Sequence, residues 1–254
     1  MKTKKHLFTV ACALALVTSA NAGFVNGGFE SGDFTGWTLE RGLNYGGNGS
    51  ISFSPGAGGH AYIVGPGTVN DPYSPFDSAF NDSYMARLNE YVPPGSAGLR
   101  NATRISQTGI MALNETEIYI NWGAVLEDPN HLAAEQPFFL IEVYKNGSLF
   151  GSTYKIADPG VGWTLFGSGP DGSQTYYSSG QYHLAGLAMG DSVMVQMTVA
   201  DCSLSGHAGW AYLDGIGVDA VPPPPGVPDG GSTVALLGLA VSAVGVVRRK
   251  LKQS

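Results

Sequence analysis

Glu127, Asp128, His131 and Glu135 fall within nine residues of one another. Side chains of these types can form half of a metal site or a general acid–base pair. Their spacing matches no metalloprotease motif, and Pro129 rules out a regular helix through the stretch. The sequence favours a solvated loop held by local hydrogen bonds. His207, between Gly206 and Ala208 and close to Trp210, reads as a hydrogen-bonded packing histidine. Apart from Cys12, Cys202 is the only cysteine. It reads as a small buried residue, with a catalytic thiol or an intermolecular disulfide as lesser readings. No Gly-x-Ser-x-Gly elbow, phosphate-binding loop or zinc spacing occurs. Paired carboxylates for glycoside hydrolysis are defined by distance in space, so the presence of 20 acidic residues decides nothing about them. The expectation is a chain that is not an enzyme.

Aromatic residues offer a different chemistry. Sugars lay their apolar faces on rings while polar neighbours read the hydroxyls. Tyr62, Tyr73, Tyr84, Tyr91, Tyr176 and Tyr177 lie in Gly/Ser/Asn/Asp-rich surroundings typical of loops and are candidates for this role, against the plainer reading of core and turn packing. Charge narrows the ligand class. Between residues 23 and 226, six basic residues face nineteen acidic ones. Nucleic acid is disfavoured, because basic patches supply most of that affinity. Cations and neutral ligands such as sugars are compatible.

The elements that must position these residues read as strands. Glu117–Trp122 alternates apolar and polar residues. Pro137–Tyr144 (PFFLIEVY) runs into Lys145-Asn146-Gly147-Ser148, a hairpin turn. Val193, Val195, Met197 and Val199 share one face of a strand, and Trp210–Val218 reads as a closing strand. In FVNGGFESGDFTGW, a first strand is followed by a turn at Asn26-Gly27-Gly28, with Phe29 and Trp37 pointing to the core. No segment of residues 23–220 sustains a 3.6-residue period. Short strands separated by turn residues predict an all-β fold, an antiparallel β-sandwich or barrel.

The two ends carry different signals. Lys2, Lys4 and Lys5, the apolar stretch Leu7–Val17 and the small residues Ala20-Asn21-Ala22 make residues 1–22 a secretory signal peptide, cleaved before Gly23. A sandwich domain over 23–220 is followed by a proline-rich linker, 221–226, a stiff extended spacer. The final segment, 227–254, opens with Val227, Pro228, Asp229, Gly230, Gly231, Ser232 and Thr233. An uncharged apolar run of 14 residues follows (234–247), then a basic tail (248–254) with Arg248, Arg249, Lys250 and Lys252. As a helix the apolar run would span roughly 21 Å against a bilayer core of about 30 Å, marginal as a permanent anchor. The basic residues orient it with its end in the cytoplasm.

This three-part tail resembles the PEP-CTERM class of bacterial sorting signals, in the variant reading VPDSG, with Gly231 where that variant has Ser. The resemblance implies export and processing by exosortase, a membrane protease. The protein would be held at the inner membrane through its tail and then released to the cell surface or extracellular matrix, commonly in bacteria that make exopolysaccharide. The FVNGGFE opening and the closing YLDG (Tyr212–Gly215) resemble galactose-binding-like jelly rolls, the fold of many carbohydrate-binding modules. That resemblance implies a jelly-roll sandwich and a structural calcium ion (Ca2+) held by Glu30 and Asp214, with Asp33 as a further contributor. Val125–Phe139 and Ala200–Gly215 also resemble segments of large exported bacterial proteins. Those relatives carry a second Cys after the closing Asp, where this chain has Gly215. The expectation is an exported, non-catalytic cell-envelope or matrix protein. A carbohydrate-binding module for extracellular polysaccharide is the main alternative, and a polysaccharide-active hydrolase the third.

Overall fold

A computed structural model describes residues 23–46, 51–56, 60–66, 71–76, 79–80, 83–91, 100–157, 162–169 and 172–217. The expected signal peptide (1–22), the expected linker (221–226) and the segment 227–254 lie outside the described residues. Among the described residues no helix is present, and so none that is long and apolar enough to cross a membrane.

Among the described residues, twelve strands form two wholly antiparallel six-stranded sheets. The first sheet contains β1 (Thr38–Leu43), β2 (Ser54–Pro55), β5 (Asn101–Ile110), β7 (Phe138–Lys145), β8 (Ser148–Ile156) and β11 (Ser192–Ala200), in the order β2-β1-β5-β11-β7-β8. The second contains β3 (Ala61–Val64), β4 (Met85–Leu88), β6 (Glu117–Asp128), β9 (Thr164–Ser168), β10 (Gln174–Ala185) and β12 (Gly209–Gly217), in the order β3-β4-β12-β6-β10-β9. The chain passes repeatedly between sheets, and its last two strands fill the centre of each: β11 lies between β5 and β7, and β12 between β4 and β6. This is a β-sandwich of the jelly-roll type.

Alternation along the strands explains why the sheets stack. Ile105, Ile141, Val143, Val193, Val195, Met197 and Val199 from the first sheet meet Ala86, Leu88, Ile118, Ile120, Trp122, Ala124, Ala211 and Leu213 from the second in one buried core. Period-two patterning places every second side chain on that face. The β7–β8 hairpin turns at Asn146 (φ 51°) and Gly147 (φ 81°), the paired positive φ values of a two-residue primed turn.

The second sheet also buries part of its outer face. Trp210, Tyr212, Val125 and Met85 there are covered by a segment carrying Asp71, Tyr73 and Phe76. Asp71 is the anchor: its Oδ2 accepts from Trp210 Nε1 (2.6 Å), Tyr212 OH (2.6 Å) and Ser74 Oγ (2.8 Å), while its Oδ1 accepts from Tyr73 N. Burial first, and the Asp71 charge second, push the Tyr212 phenol far above its ordinary pKa.

The opening segment differs from its sequence reading. Residues 24–36 form successive turns and no strand, and the first strand begins at Thr38. Asn26 and Phe29 adopt positive φ (54° and 63°), which is incompatible with an extended strand. The side chains nevertheless go where the sequence sends them. Phe29 is fully buried, and its ring stacks on Trp37 with centroids 4.9 Å apart. Gly27 lies against β12: Ile216 N donates to Gly27 O, and a Cβ on Gly27 would stand 2.7 Å from Ile216 O. The start of the domain is thereby fastened to its last strand.

Candidate ligand-binding face

The outer face of the first sheet is built by register. Tyr154, Leu140, Thr198, Arg104 and Glu40 are successive partners across β8, β7, β11, β5 and β1. The next outward row is Ser152, Glu142, Gln196, Ser106 and Thr38. Their chain neighbours Ile141, Val195, Met197 and Ile105 point into the core, so these side chains must point out.

From these rows Arg104, Glu142, Tyr154 and Gln196, together with Phe53 and Phe138, line a groove of about 310 Å³. At one end the Arg104 guanidinium lies 4.1 Å from the centroid of the Phe53 ring, and its Nε donates to Glu40 Oε2 at 2.7 Å. The stacking and the ion pair hold the guanidinium in one plane. In the middle, Glu142 accepts from Gln196 Nε2 at 2.8 Å and from Tyr144 OH at 3.1 Å. Burial, then the bond to Glu142, raises the Tyr144 phenol above its usual pKa. At the other end Tyr154, 39% exposed, packs against Phe138 at 5.5 Å. The half-buried Phe53 ring and the exposed Tyr154 ring thus flank a guanidinium, a carboxylate and an amide fixed by neighbours, each able to meet two hydrogen-bonding atoms in one plane.

The tyrosines selected from sequence occupy other positions. Tyr62 lies in β3, and Tyr176 and Tyr177 lie in β10. Tyr62 and Tyr91 sandwich the Arg87 guanidinium at 4.6 Å each. Burial, then a bond to Glu90, pushes Tyr62 up to about 12. Tyr73 packs against Tyr91, Phe166 and Trp210. Tyr84 packs on the main core, Tyr177 on the second sheet's outer cluster, and Tyr176 is buried. Tyr73, Tyr91 and Tyr177 pack in the outer cluster that the Asp71 segment covers, whereas Tyr84 and Tyr176 pack elsewhere. The sequence reading missed Phe53 and Tyr154, whose only signal is that they fall on the outward rows of paired strands.

Of the expected calcium ligands, Glu30 is exposed and its carboxylate accepts from Ser83 N and Tyr84 N at 3.0–3.2 Å. Asp33 is exposed and closes its own turn, accepting from Ser31 Oγ (2.5 Å) and Thr35 N (2.9 Å). Those bonds hold its carboxyl below the usual carboxylate range. Asp214 is buried in β12, beside a bulge at Gly215 (φ 85°). The turn that precedes Glu30 meets β12 through Gly27 and Ile216. Among the described residues, the group of three metal-ligating side chains that the fold does bring together is a different one: His131, Cys202 and His207, whose ligand atoms lie within 4.8 Å of one another. Glu127 and Asp128 belong to the end of β6, and Glu127 Oε2 accepts from Ala208 N at 2.8 Å. The loop reading of 127–135 therefore holds only beyond Asp128.

Residues 226–251 match the VPDSG-CTERM motif. The chain carries a VPDSG-CTERM tail. The motif follows the end of the closing strand β12 at Gly217 by eight residues. No curated protein matches the sequence. Similar solved structures include TmCBM61 in complex with β-1,4-galactotriose (12% identity, 77% of this chain, 96% of that chain, TM-score 0.39). The module CBM27-1 of Caldicellulosiruptor saccharolyticus in complex with mannohexaose is similar at 13% identity, over 63% of this chain and 84% of that one, with TM-score 0.35. The K1 cleaved adhesin domain of Lys-gingipain from Porphyromonas gingivalis is similar at 13% identity, over 73% and 99%, with TM-score 0.36.

Proposed function

We propose that this is an exported cell-envelope or matrix protein whose non-catalytic sandwich binds extracellular polysaccharide on the outer face of β1, β5, β11, β7 and β8. The observation that carries the reading is the grouping of Arg104, Gln196 and Glu142 between the half-buried ring of Phe53 and the exposed ring of Tyr154. Sugar rings present an apolar face and an edge of vicinal hydroxyls, and this groove offers a matching ring platform and planar polar groups. It lies on a sheet surface that runs across five strands, which suits an extended chain better than a small enclosed ligand. The carboxylate in the groove, Glu142, is held by Gln196 and Tyr144, and Glu40 is taken up by Arg104, which favours fixed acceptors over a hydrolytic pair. The VPDSG-CTERM tail supports delivery to the envelope through an exosortase-like protease and the inner membrane.

The test is a glycan array probed with the full chain in mild detergent. Retention of an extracellular polysaccharide is expected. Tyr154→Ala and Arg104→Gln should each weaken it about tenfold or more, as central anchors do. Retention of no glycan, or equal retention by both variants, defeats the reading, and release of reducing sugar would replace it with the hydrolase.

A calcium ion between Glu30 and Asp214 is a second proposal. It is supported by the acidic composition and by the contact of the Gly27 turn with β12. A hard cation takes carboxylate and carbonyl oxygens. Binding only the folded state at a hundredfold excess over Kd adds about 2.7 kcal/mol, or a few degrees in Tm. Chelation should lower Tm and Ca2+ should restore it, while Glu30→Gln and Asp214→Asn should remove that response. A Tm in the unsubstituted protein that ignores Ca2+ ends the proposal.

A further inference from the structure

His131 and Cys202 are 71 residues apart in the chain, yet Cys202 Sγ lies 3.3 Å from His131 Nδ1. The His207 ring stands edge-on to His131 with centroids 5.1 Å apart, and the ligand atoms of all three lie within 4.8 Å of one another. His131 comes from the loop between β6 and β7, and Cys202 and His207 from the loop between β11 and β12. We propose that these three residues form a binding site for a transition-metal ion of zinc's class, separate from the polysaccharide groove and from any calcium at Glu30 and Asp214.

The donor set selects the ion. One thiolate and two imidazoles suit borderline and soft first-row ions, whereas calcium and magnesium require oxygen ligands. Zn–S bonds of about 2.3 Å and Zn–N bonds of about 2.0 Å place tetrahedral ligands roughly 3.3–3.6 Å apart. The Cys202–His131 separation already satisfies this, and imidazole rotation can close the remaining gaps. Three protein ligands leave a fourth position, which the half-buried histidines leave on the solvent side.

The backbone beneath the site is fixed independently of any ion. Cys202 N donates to His207 O at 3.0 Å and Ser205 N to Cys202 O at 3.2 Å, so the loop closes on itself through Ser205 (φ 71°) and Gly206 (φ 95°). Ser203 N donates to Glu135 O at 3.0 Å, tying this loop to the other one. Gln136 Nε2 donates to His131 O and to Asp128 Oδ1, each at 3.2 Å. Two loops bound to each other through their backbones thus present one thiol and two imidazoles at one point. Such outer contacts are what orient ligands in established metal sites.

Cobalt(II) is the probe, used with the reduced full chain carrying Cys12→Ser so that Cys202 is the single thiol. One Co2+ per chain should bind with a thiolate-to-metal charge-transfer band, and Zn2+ should displace it. Cys202→Ser should abolish the band. His131→Gln and His207→Gln should each weaken Co2+ binding at least tenfold, while His183→Gln, at an exposed histidine paired with Glu117, should leave it unchanged. Zn2+ should raise Tm in the parent and not in Cys202→Ser, with far-UV circular dichroism showing that each variant is folded. Absence of the charge-transfer band, or its survival in folded Cys202→Ser, overturns the proposal.

Discussion

Asp71 shows how one side chain can set what a whole face of a sheet does. Its carboxylate gathers an indole, a phenol, a hydroxyl and a backbone N–H at 2.6–2.8 Å. Hydrogen bonds to a buried charge are among the stronger ones, and removing the acceptor strands its donors. Asp71→Ala is therefore expected to cost about 3 kcal/mol, read as a lowered midpoint in urea denaturation. Glycan retention on the opposite sheet should persist wherever the variant is folded. An unchanged midpoint would mean that apolar contact alone holds the covering segment. The residue scale is also where the sequence is least legible. Phe53, Arg104, Glu142, Tyr154 and Gln196 span more than 140 positions, and only strand register places them side by side. His131, Cys202 and His207 read as unrelated packing and loop residues for the same reason. Tyr73 stands out by its local composition, but composition does not reveal that Asp71 folds its segment onto Trp210 and Tyr212.

At the scale of elements, patterning was far more informative. The one-sided apolar run of β11, the Asn146-Gly147 turn and the inward Phe29 and Trp37 are local features. The turn residues and the alternation fix them without knowledge of neighbours. The opening segment departs from the strand pattern at left-handed Asn26 and Phe29, where Gly27 packs on β12 nearly 190 residues away and Asn26 closes the turn with Ser31 and Asp33. Asp191 gives an element-scale prediction. It accepts from Asn146 Nδ2 (2.8 Å) and Ala188 N (2.8 Å) and pairs with Lys145 (2.9 Å), clamping the hairpin turn onto the start of β11. The bonds to Lys145 and Asn146 hold its carboxyl below the ordinary range. A depressed carboxyl contributes stability above its unfolded pKa, about 3.9, and loses it as pH falls through the lower folded value. Tm should thus decline on acidification below about pH 4, and Asp191→Asn should flatten that part of the decline. Identical acid profiles in parent and variant would show that the clamp is electrostatically idle.

For the whole molecule, the sandwich and the VPDSG-CTERM tail make separate statements, one about what is carried and the other about where. Removal of the tail near Val227–Thr233 after export is the expected outcome. Mass spectrometry of the envelope-bound protein should find a C-terminus there. An intact Arg248–Ser254 end on most molecules would make the segment a lasting anchor.

The central placement of β11 and β12 bears on the order of events during export. Each sheet is two incomplete halves until its middle strand arrives, and those strands are supplied by residues 192–217, the last part of the sandwich in the chain. A polypeptide delivered N-terminus first therefore cannot finish either sheet while it is still threading, since its early strands have edges but no centre. It remains slack enough to pass through a narrow channel, and both sheets can close only once Gly217 has emerged. The sorting segment would then be holding a newly folded domain at the membrane, with the finished sheets themselves preventing its return.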